Sequence, residues 1–381
     1  MRVSVIGAGS WGSAVAWLLG NKGDEVRLWA RNAELVEGLN TTRRNPQYLK
    51  DIELPGSVVA STNLAWVLQG AEAIVLVTPS VAVGKMAEEI AEYLGGKQLG
   101  GDNAAPGNTA LNNATSSNAA FNNTSSFAVS NQATCDTAPD QAIADKETPL
   151  VLLSKGIESP TGAFLLDVLA AKLGSPDRLA VLSGPNHAEE VARGIHSATV
   201  VASQSPKTAE FFQELFATPT FRVYTSQDTT GVQLCGAAKN VVAIACGLAA
   251  GLGFGDNTTA LLMTRGLAEI SRLVTQLGGS PITCMGLSGM GDLVVTCTSK
   301  HSRNRAFGLE LAAGRTLEDY QGRTHMVVEG AIASKTVTDL AQAYGVDMPI
   351  SMLVRSIVWE NEPLERAITN LIERSFKPEF Y

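Results

Sequence analysis

The short apolar segment Arg2-Val3-Ser4-Val5-Ile6 runs directly into Gly7-Ala8-Gly9-Ser10-Trp11-Gly12, and the helical pattern Ser13-Ala14-Val15-Ala16-Trp17-Leu18-Leu19 follows. A G-x-G-x-x-G turn between a strand and a helix restricts the chain to few folds. The first glycine makes the tight turn, the second lets backbone approach a pyrophosphate, and the third packs the helix on the strand. The helix N-terminus supplies free N–H groups and the positive end of a dipole for phosphates. In this context the motif points to dinucleotide binding; outside it, the same glycines would mark only a tight strand–helix turn.

Downstream, strand and helix signals alternate. Strands are expected over 25–29, 58–61, 73–78, 150–153, 179–183 and 199–202, and helices over 33–39 and 81–94. The run Ala73-Ile74-Val75-Leu76-Val77 is continuously apolar, as in a strand covered on both faces. The pattern predicts a doubly wound α/β, Rossmann-like domain over residues 1–225. After about Thr225 the strands stop, and 231–250, 259–276, 303–313, 330–344, 350–359 and 364–374 read as helices. An all-α second domain is expected over 226–381, with a cleft between the two for a substrate. Residues 98–147 break the pattern. They are rich in Asn, Ala, Thr and Ser, too polar to build a core, and read as a disordered low-complexity insertion.

Bulk properties narrow the function. The 381 residues suit two domains, and a 45% hydrophobic content can fill both cores. The net charge is −8, from 29 basic and 37 acidic residues. That diffuse acidity argues against nucleic acid as a partner, yet leaves room for a locally basic pocket. Five cysteines are scattered, odd in number and without a CxxC pair, so they read as free thiols in a reducing compartment, with no metal site. With the first strand at residue 2, no secretory leader is expected. The apolar stretch 241–254 reads as too short and glycine-rich to span a bilayer. A cytoplasmic protein without membrane insertion is expected, and the apolar helical domain offers a face for a homodimer.

Several residues stand out chemically. Where an NAD-selective fold usually carries Asp or Glu, about twenty residues past the glycines, this chain has Ala30-Arg31. A guanidinium there suits a ribose 2′-phosphate and favours NADP over NAD; alternatively Arg31 opens the next helix in solvent. Lys155, directly after a buried strand in Ser154-Lys155-Gly156, either points into the crevice or flanks the strand end. Ser183-Gly184-Pro185-Asn186-His187-Ala188 opens a helix that can face an anion. Lys239 sits within the apolar Ala237-Ala238-Lys239-Asn240-Val241. Burying its ammonium costs several kcal/mol unless it is paired or neutralised. Desolvation and a second cation would bring its pKa towards neutrality, as a general base needs. Asp292 lies between Gly291 and an apolar run, and Ser302-Arg303-Asn304-Arg305 puts basic groups at a helix start, where an anion would be needed to offset the dipole.

Together these segments resemble the bacterial type of NAD(P)-dependent glycerol-3-phosphate dehydrogenase. The matching pieces, in order, are GAGSWG at 7–12, SKG at 154–156, SGPNHA at 183–188, AAKNV at 237–241, GLGFGDN at 251–257, TRGLAEI at 264–270, GMGDLVVTCTS at 289–299, SRNR at 302–305 and VVEG at 327–330. The resemblance covers the chain outside the insertion. It implies an oxidoreductase acting on a CH–OH group, interconverting dihydroxyacetone phosphate and sn-glycerol 3-phosphate, with the product directed to phospholipid synthesis. It implies Lys239, Lys155 and Asp292 as catalytic residues. Lys239 would exchange the proton, Lys155 would polarise the carbonyl, and Asp292 would orient Lys239. Substrate contacts would come from Lys155, Gly184, Asn186, Lys239, Asp292, Ser302, Arg303 and Asn304, with Arg303 and Asn304 clamping the phosphate. NAD or NADP would be held by Gly7, Gly9, Ser10, Trp11, Gly12, Arg31, Lys155, Ala188, Arg303, Val327 and Glu329. Asn186 stands where Ser or Thr is more usual in the family. Two other readings of the same scaffold are a different two-domain hydroxyacid dehydrogenase and an NADP-binding sensor. Deleting residues 101–145 should leave activity largely intact, because stability depends weakly on loop length; a variant that fails to fold would show that the segment belongs to the core.

Overall fold

The computed structural model describes residues 1–94, 144–159, 161–324, 327–375 and 378–379. An eight-stranded sheet forms the first part: β1 (Arg2–Ile6), β2 (Glu25–Trp29), β3 (Val58–Ser61), β4 (Ala73–Leu76), β5 (Leu150–Leu152), β6 (Leu179–Ser183), β7 (Ser197–Ala202) and β8 (Phe221–Ser226), in the order β3-β2-β1-β4-β5-β6-β7-β8. Helices α1 (Ser10–Lys22), α2 (Ala33–Thr42), α3 (Leu64–Leu68), α4 (Val83–Ala91), α5 (Leu165–Leu173), α6 (Ala188–Val191) and α7 (Pro206–Phe216) connect the strands. Strands β4, β5 and β6 are buried at every position, which is why they read as unbroken apolar runs. Strand order reverses between β1 and β4, and that switch point opens a crevice at the carboxyl edge of the sheet. All pairs are parallel except β6–β7. Because β7 runs backwards, the segment joining it to β6 hangs over the same carboxyl edge.

The glycine turn is fixed by contact as well as conformation. Gly7 has φ 120°, and a Cβ on Gly12 would fall 1.7 Å from the Gly7 carbonyl oxygen. Asn45, buried and unremarkable in the sequence, donates to the Ala8 carbonyl at 2.9 Å and to Ser13 Oγ at 2.8 Å, tying the turn to the start of α1.

From residue 229 the described chain is helical: α8 (Thr229–Gly251), α9 (Asp256–Gln276), α10 (Pro281–Cys284), α11 (Asp292–Thr298), α12 (Arg303–Ala312), α13 (Leu317–Thr324), α14 (Glu329–Ala343), α15 (Pro349–Trp359) and α16 (Leu364–Ile372). Helix α8 is the axle, buried at every residue from Gly231 to Ala249. It is hydrophobic all round, as a helix wrapped by others must be. Glycines bring α8 and α12 into backbone contact: a Cβ on Gly247 would lie 2.0 Å from the Arg305 carbonyl oxygen, and one on Gly308 2.2 Å from that of Ile244. The 23 residues of α8 are long and apolar enough to cross a bilayer, longer than the stretch weighed above. Its most apolar window is nonetheless 89% buried inside the protein, as a core helix would be.

The structure departs from the sequence reading in several places. Strand β8 is added, because its alternation (Phe221 and Val223 inward, Arg222 and Tyr224 outward) is that of a short, half-exposed edge strand. Helices α3, α5, α7, α10, α11 and α13 are also added. The helix expected over 81–94 is a 3₁₀ turn at Ser80–Ala82 followed by α4; Leu94 lies beyond it and pairs with Ala144. The expected insertion lies outside the described residues except for its last four, where Ala144 is buried in that bridge and 145–148 form a turn. A deletion meant to spare the fold therefore ends at 143. Gly12→Ala should cost about 1–3 kcal/mol by overpacking the β1–α1 junction, read as a lower urea midpoint; an unchanged midpoint would show that the junction has room to spare.

Candidate active site

Lys155 follows β5 across the carboxyl edge of the sheet, and Lys239 lies midway along α8. Asp292 opens α11 immediately after a π-turn at Leu287–Gly291, a distortion common at functional sites. These three sequence-distant groups meet in one cluster. Asp292 receives Lys155 Nζ on Oδ2 at 2.6 Å and Lys239 Nζ on Oδ1. Lys155 also donates to the Gly184 carbonyl at 3.0 Å, and Lys239 to Thr296 Oγ1 at 2.7 Å. Thr296, one helical turn after Asp292, donates in turn to the Asp292 backbone carbonyl at 2.6 Å. Ser183 Oγ adds a long contact to Asp292 Oδ2 at 3.5 Å.

This arrangement sets the protonation states. Lys239 is 5% exposed, and burial draws its pKa down to about 7. Asp292 works against that fall, and the nearby Lys155 ammonium adds to it. Burial tends to raise Asp292, but the two ammoniums outweigh it and hold the carboxyl below the usual carboxylate range. With Lys239 protonated, two cations share one anion and the cluster carries a surplus positive charge, which suits an anionic or electron-rich ligand.

The other residues singled out by the sequence fall around this centre. Gly184 and Asn186 stand on the β6–α6 connection. Asn186 donates to the Ala198 carbonyl at 3.1 Å, while its Oδ1 and His187 Nε2 are buried without a hydrogen-bond partner among the described residues. Ser302 caps α12 by accepting from the Arg305 N–H at 3.2 Å. Arg303 is exposed at the start of α12, near enough for its charge to act on Glu329. Asn304 ties three helices together. Its amide donates to Asn240 Oδ1 on α8 and accepts from the Gly330 N–H of α14, both at 2.9 Å. Glu329, the first residue of α14, accepts from Ser80 Oγ at 2.6 Å across the cleft. Burial raises the Glu329 pKa, and the Ser80 bonds partly restrain it. Val327 is half-buried just before α14.

The nucleotide-binding candidates lie at the switch point. A Cβ built on Gly9 would meet no atom within 4 Å, whereas those on Gly7 and Gly12 would clash with backbone. Open space at the middle glycine, beside the N–H groups of Ser10, Trp11 and Gly12, fits a pyrophosphate. Trp11 packs toward Phe221 with ring centroids 6.4 Å apart, and Ala188 is buried against α1 beside Ala14. Arg31 is exposed at the end of β2, where a ribose 2′-phosphate would lie. Among the described residues no group of three or more His, Cys, Asp or Glu is placed to hold a metal.

Comparison with known proteins gives the family. Residues 2–100 and 107–209 match the family described as NAD-dependent glycerol-3-phosphate dehydrogenase N-terminus, and residues 228–369 match its C-terminus. The chain belongs to the NAD-dependent glycerol-3-phosphate dehydrogenase family. Glycerol-3-phosphate dehydrogenase [NAD(P)+] of Chlorobium luteolum is 40% identical over 381 residues, covering 100% of this chain and 99% of the relative. The enzyme of the same description from Moorella thermoacetica is 40% identical, covering 98% and 96%. The crystal structure of glycerol-3-phosphate dehydrogenase from Coxiella burnetii superposes with a TM-score of 0.81 at 32% identity, covering 98% and 99%. The chain is thus an NAD(P)-dependent oxidoreductase of this dehydrogenase family, with a Rossmann-like N-terminal part and a helical C-terminal part.

Sequence reasoning missed Thr296, Asn240, Ser80 and Asn45. Thr296 had a signal, its i+4 spacing from Asp292 on one helix face. Asn240 was visible as a second polar group in an apolar helix. Ser80 ends the Val77-Thr78-Pro79-Ser80 segment, whose apolar strand places a loop at the carboxyl edge, but its reach to Glu329 spans 249 residues, and no local pattern marks Asn45. Gly9→Val should leave thermal stability nearly unchanged while weakening NADPH binding on the order of tenfold or more, followed by fluorescence titration; full affinity would place the pyrophosphate elsewhere.

Proposed function

We propose that the chain interconverts dihydroxyacetone phosphate and sn-glycerol 3-phosphate with Lys239 as the proton-exchanging group. The observation carrying this reading is a buried lysine held near neutrality by burial, with Asp292 and Lys155 around it. An ammonium has three N–H donors. Lys239 commits two, to Asp292 and Thr296, and Lys155 commits two, to Asp292 and Gly184. One donor on each lysine is left for a ligand oxygen. In reduction, protonated Lys239 gives its proton to the ketone oxygen at C2; in oxidation, neutral Lys239 takes the hydroxyl proton. Lys155 stabilises negative charge developing on that oxygen. Asp292 holds both lysines in place and keeps the site from being doubly uncompensated.

When bound, the nicotinamide cofactor supplies or accepts the hydride. Gly7, Gly9, Ser10, Trp11 and Gly12 would hold its pyrophosphate. Arg31 favours the 2′-phosphate of NADP, and Ala188, Val327 and Glu329 would add further contacts to the cofactor. Arg303 and the first N–H groups of α12, with Ser302 and Asn304, would clamp the substrate phosphate, combining a guanidinium with a helix N-terminus. Asn304 already spends its carbonyl and one N–H on α14 and α8, so one N–H remains for substrate. On this reading the chain divides at 225/226 into cofactor and substrate domains. The enzyme works in the cytoplasm, mainly as a reductase supplying glycerol 3-phosphate for phospholipid synthesis. Exposed Leu252, Phe254 and Leu261 on the helical part offer a face for a homodimer.

The test is oxidation of NADPH, and separately NADH, with dihydroxyacetone phosphate, using dihydroxyacetone as the unphosphorylated control. Turnover is expected only with the phosphorylated ketone. Lys239→Ala should lower it by about 10²–10⁴-fold with cofactor affinity nearly intact. Because reduction needs Lys239 protonated, its rate should fall as pH rises through about 7, and the oxidation rate should rise over the same range. Normal turnover in Lys239→Ala, or equal turnover on both ketones, would overturn the assignment.

A further inference from the structure

Two pairs of buried thiols bracket the Lys239–Asp292 contact. Cys235 and Cys246 lie on α8 to either side of Lys239, Cys284 ends α10, and Cys297 lies in α11. Cys235 donates a hydrogen bond to Cys284 with the sulfurs 3.6 Å apart, and Cys246 and Cys297 lie close enough to shift each other's pKa. All four are about 1% exposed. The proton chemistry above uses none of them, yet Cys284 is mechanically joined to it. Gly289, in the π-turn, packs so closely that a Cβ there would lie 2.1 Å from the Cys284 carbonyl oxygen. Asp292 follows three residues later.

We propose that Cys235 and Cys284 form an oxidisable dithiol, a modification site for hydrogen peroxide or a small organic hydroperoxide, whose disulfide displaces Asp292 and slows the enzyme. Cys284 is the attacking sulfur. The hydrogen bond from Cys235 lowers its pKa, burial opposes this, and Ser271 adds to the lowering, while the same Cys–Cys bond pushes Cys235 well up. The Cys284 thiolate attacks the peroxide, an S–O bond forms as O–O breaks, and the departing hydroxide leaves as water with the thiol's proton. The Cys235 sulfur then displaces the sulfenic hydroxyl, S–S forms as S–O breaks, and a second water leaves with the Cys235 proton. Two thiols are oxidised to one disulfide, and one hydrogen peroxide is reduced to two waters.

Access and direction of movement both favour this pair. Cys284 belongs to a one-turn helix whose Ile282 and the following Met285 are 73% and 77% exposed, so a small local opening admits a small oxidant. A disulfide needs sulfurs about 2.05 Å apart, so the pair must close by roughly 1.5 Å from the 3.6 Å separation. Helix α8 is packed on every side, so closing the pair draws on the one-turn α10, which Asp228 anchors to the start of α8 through the Ser280 N–H and Thr283 Oγ1 at 2.9 and 2.6 Å. A shift of α10 bears on Gly289 and through the π-turn on Asp292, and a misplacement of about 1 Å at a reacting centre can cost about 10²-fold in rate. Cys246 and Cys297 both sit inside regular helices and have no such hinge.

The slowing rests on the proposed role of Asp292; formation of the bond does not. Full-length reduced enzyme would be titrated with hydrogen peroxide, its free thiols blocked, and its non-reduced peptides mapped by mass spectrometry alongside turnover. A peptide joining 235 to 284 should appear in step with a fall in turnover of roughly 10–100-fold, and dithiothreitol should reverse both. Cys284→Ser should keep basal turnover and lose the response. Sulfoxide on neighbouring Met285 reports that peroxide has reached α10 and is not reversed by dithiothreitol. No 235–284 linkage once Met285 is oxidised, complete linkage with unchanged turnover, or an undiminished response in Cys284→Ser would each overturn the proposal. The Lys239→Ala assay judges the catalytic reading separately.

Discussion

A single carboxylate shared by two ammoniums holds the two parts of this chain in working relation. Lys155 comes from the sheet, Lys239 from the helical axle, and Asp292 binds one on each oxygen. As a stability device the cluster is poor. Desolvating three charges costs several kcal/mol per ion before their attraction repays it, and apolar side chains would fill the volume more cheaply. Its worth lies in the state it imposes. The surplus cation and the burial that draws Lys239 toward neutrality are two sides of one arrangement. Removing the carboxylate would leave the buried Lys239 and the half-buried Lys155 without their shared partner, so the packing and the proposed proton chemistry depend on the same atoms.

Around this centre, geometry is conveyed by backbone contact and by polar crosslinks that span the chain. Helices α8 and α12 meet so closely that neither Gly247 nor Gly308 could carry a side chain without striking the Arg305 or Ile244 carbonyl. Asn304 joins α8, α12 and α14 through one amide, and Ser80 joins the sheet side to α14 through Glu329. Each crosslink fixes a residue that the cofactor or substrate would need, which makes the helical part a rigid jig for the lysine.

Much of this was legible in the sequence, and the reasons differ by residue. Lys239 was visible because an ammonium within an apolar helix is costly and demands an explanation. The glycine turn was visible because its flanking strand and helix give the motif its meaning, and the long helices because their apolar content spans many turns. Strand β8 was missed because an exposed edge strand of six residues carries only two buried positions, Phe221 and Val223. Helix α11 was missed because Asp292-Leu293-Val294-Val295 is β-branched and short, and only its packing on α8 makes it helical. That Asp292 serves two lysines, or that Asn45 holds the glycine turn, follows from tertiary proximity alone.

The Leu94–Ala144 bridge has a consequence for how the chain can vary. Helix α4 runs back from the carboxyl edge of β4, so the bridge closes at the opposite rim of the sheet, just before β5 begins. Both ends of the segment between them therefore leave the fold on the rim away from Gly9, Lys155 and the helical axle. Both residues of the bridge are buried. A change in chain length between residues 94 and 144 is therefore anchored at the rim opposite Gly9 and Lys155, apart in space from the lysine cluster.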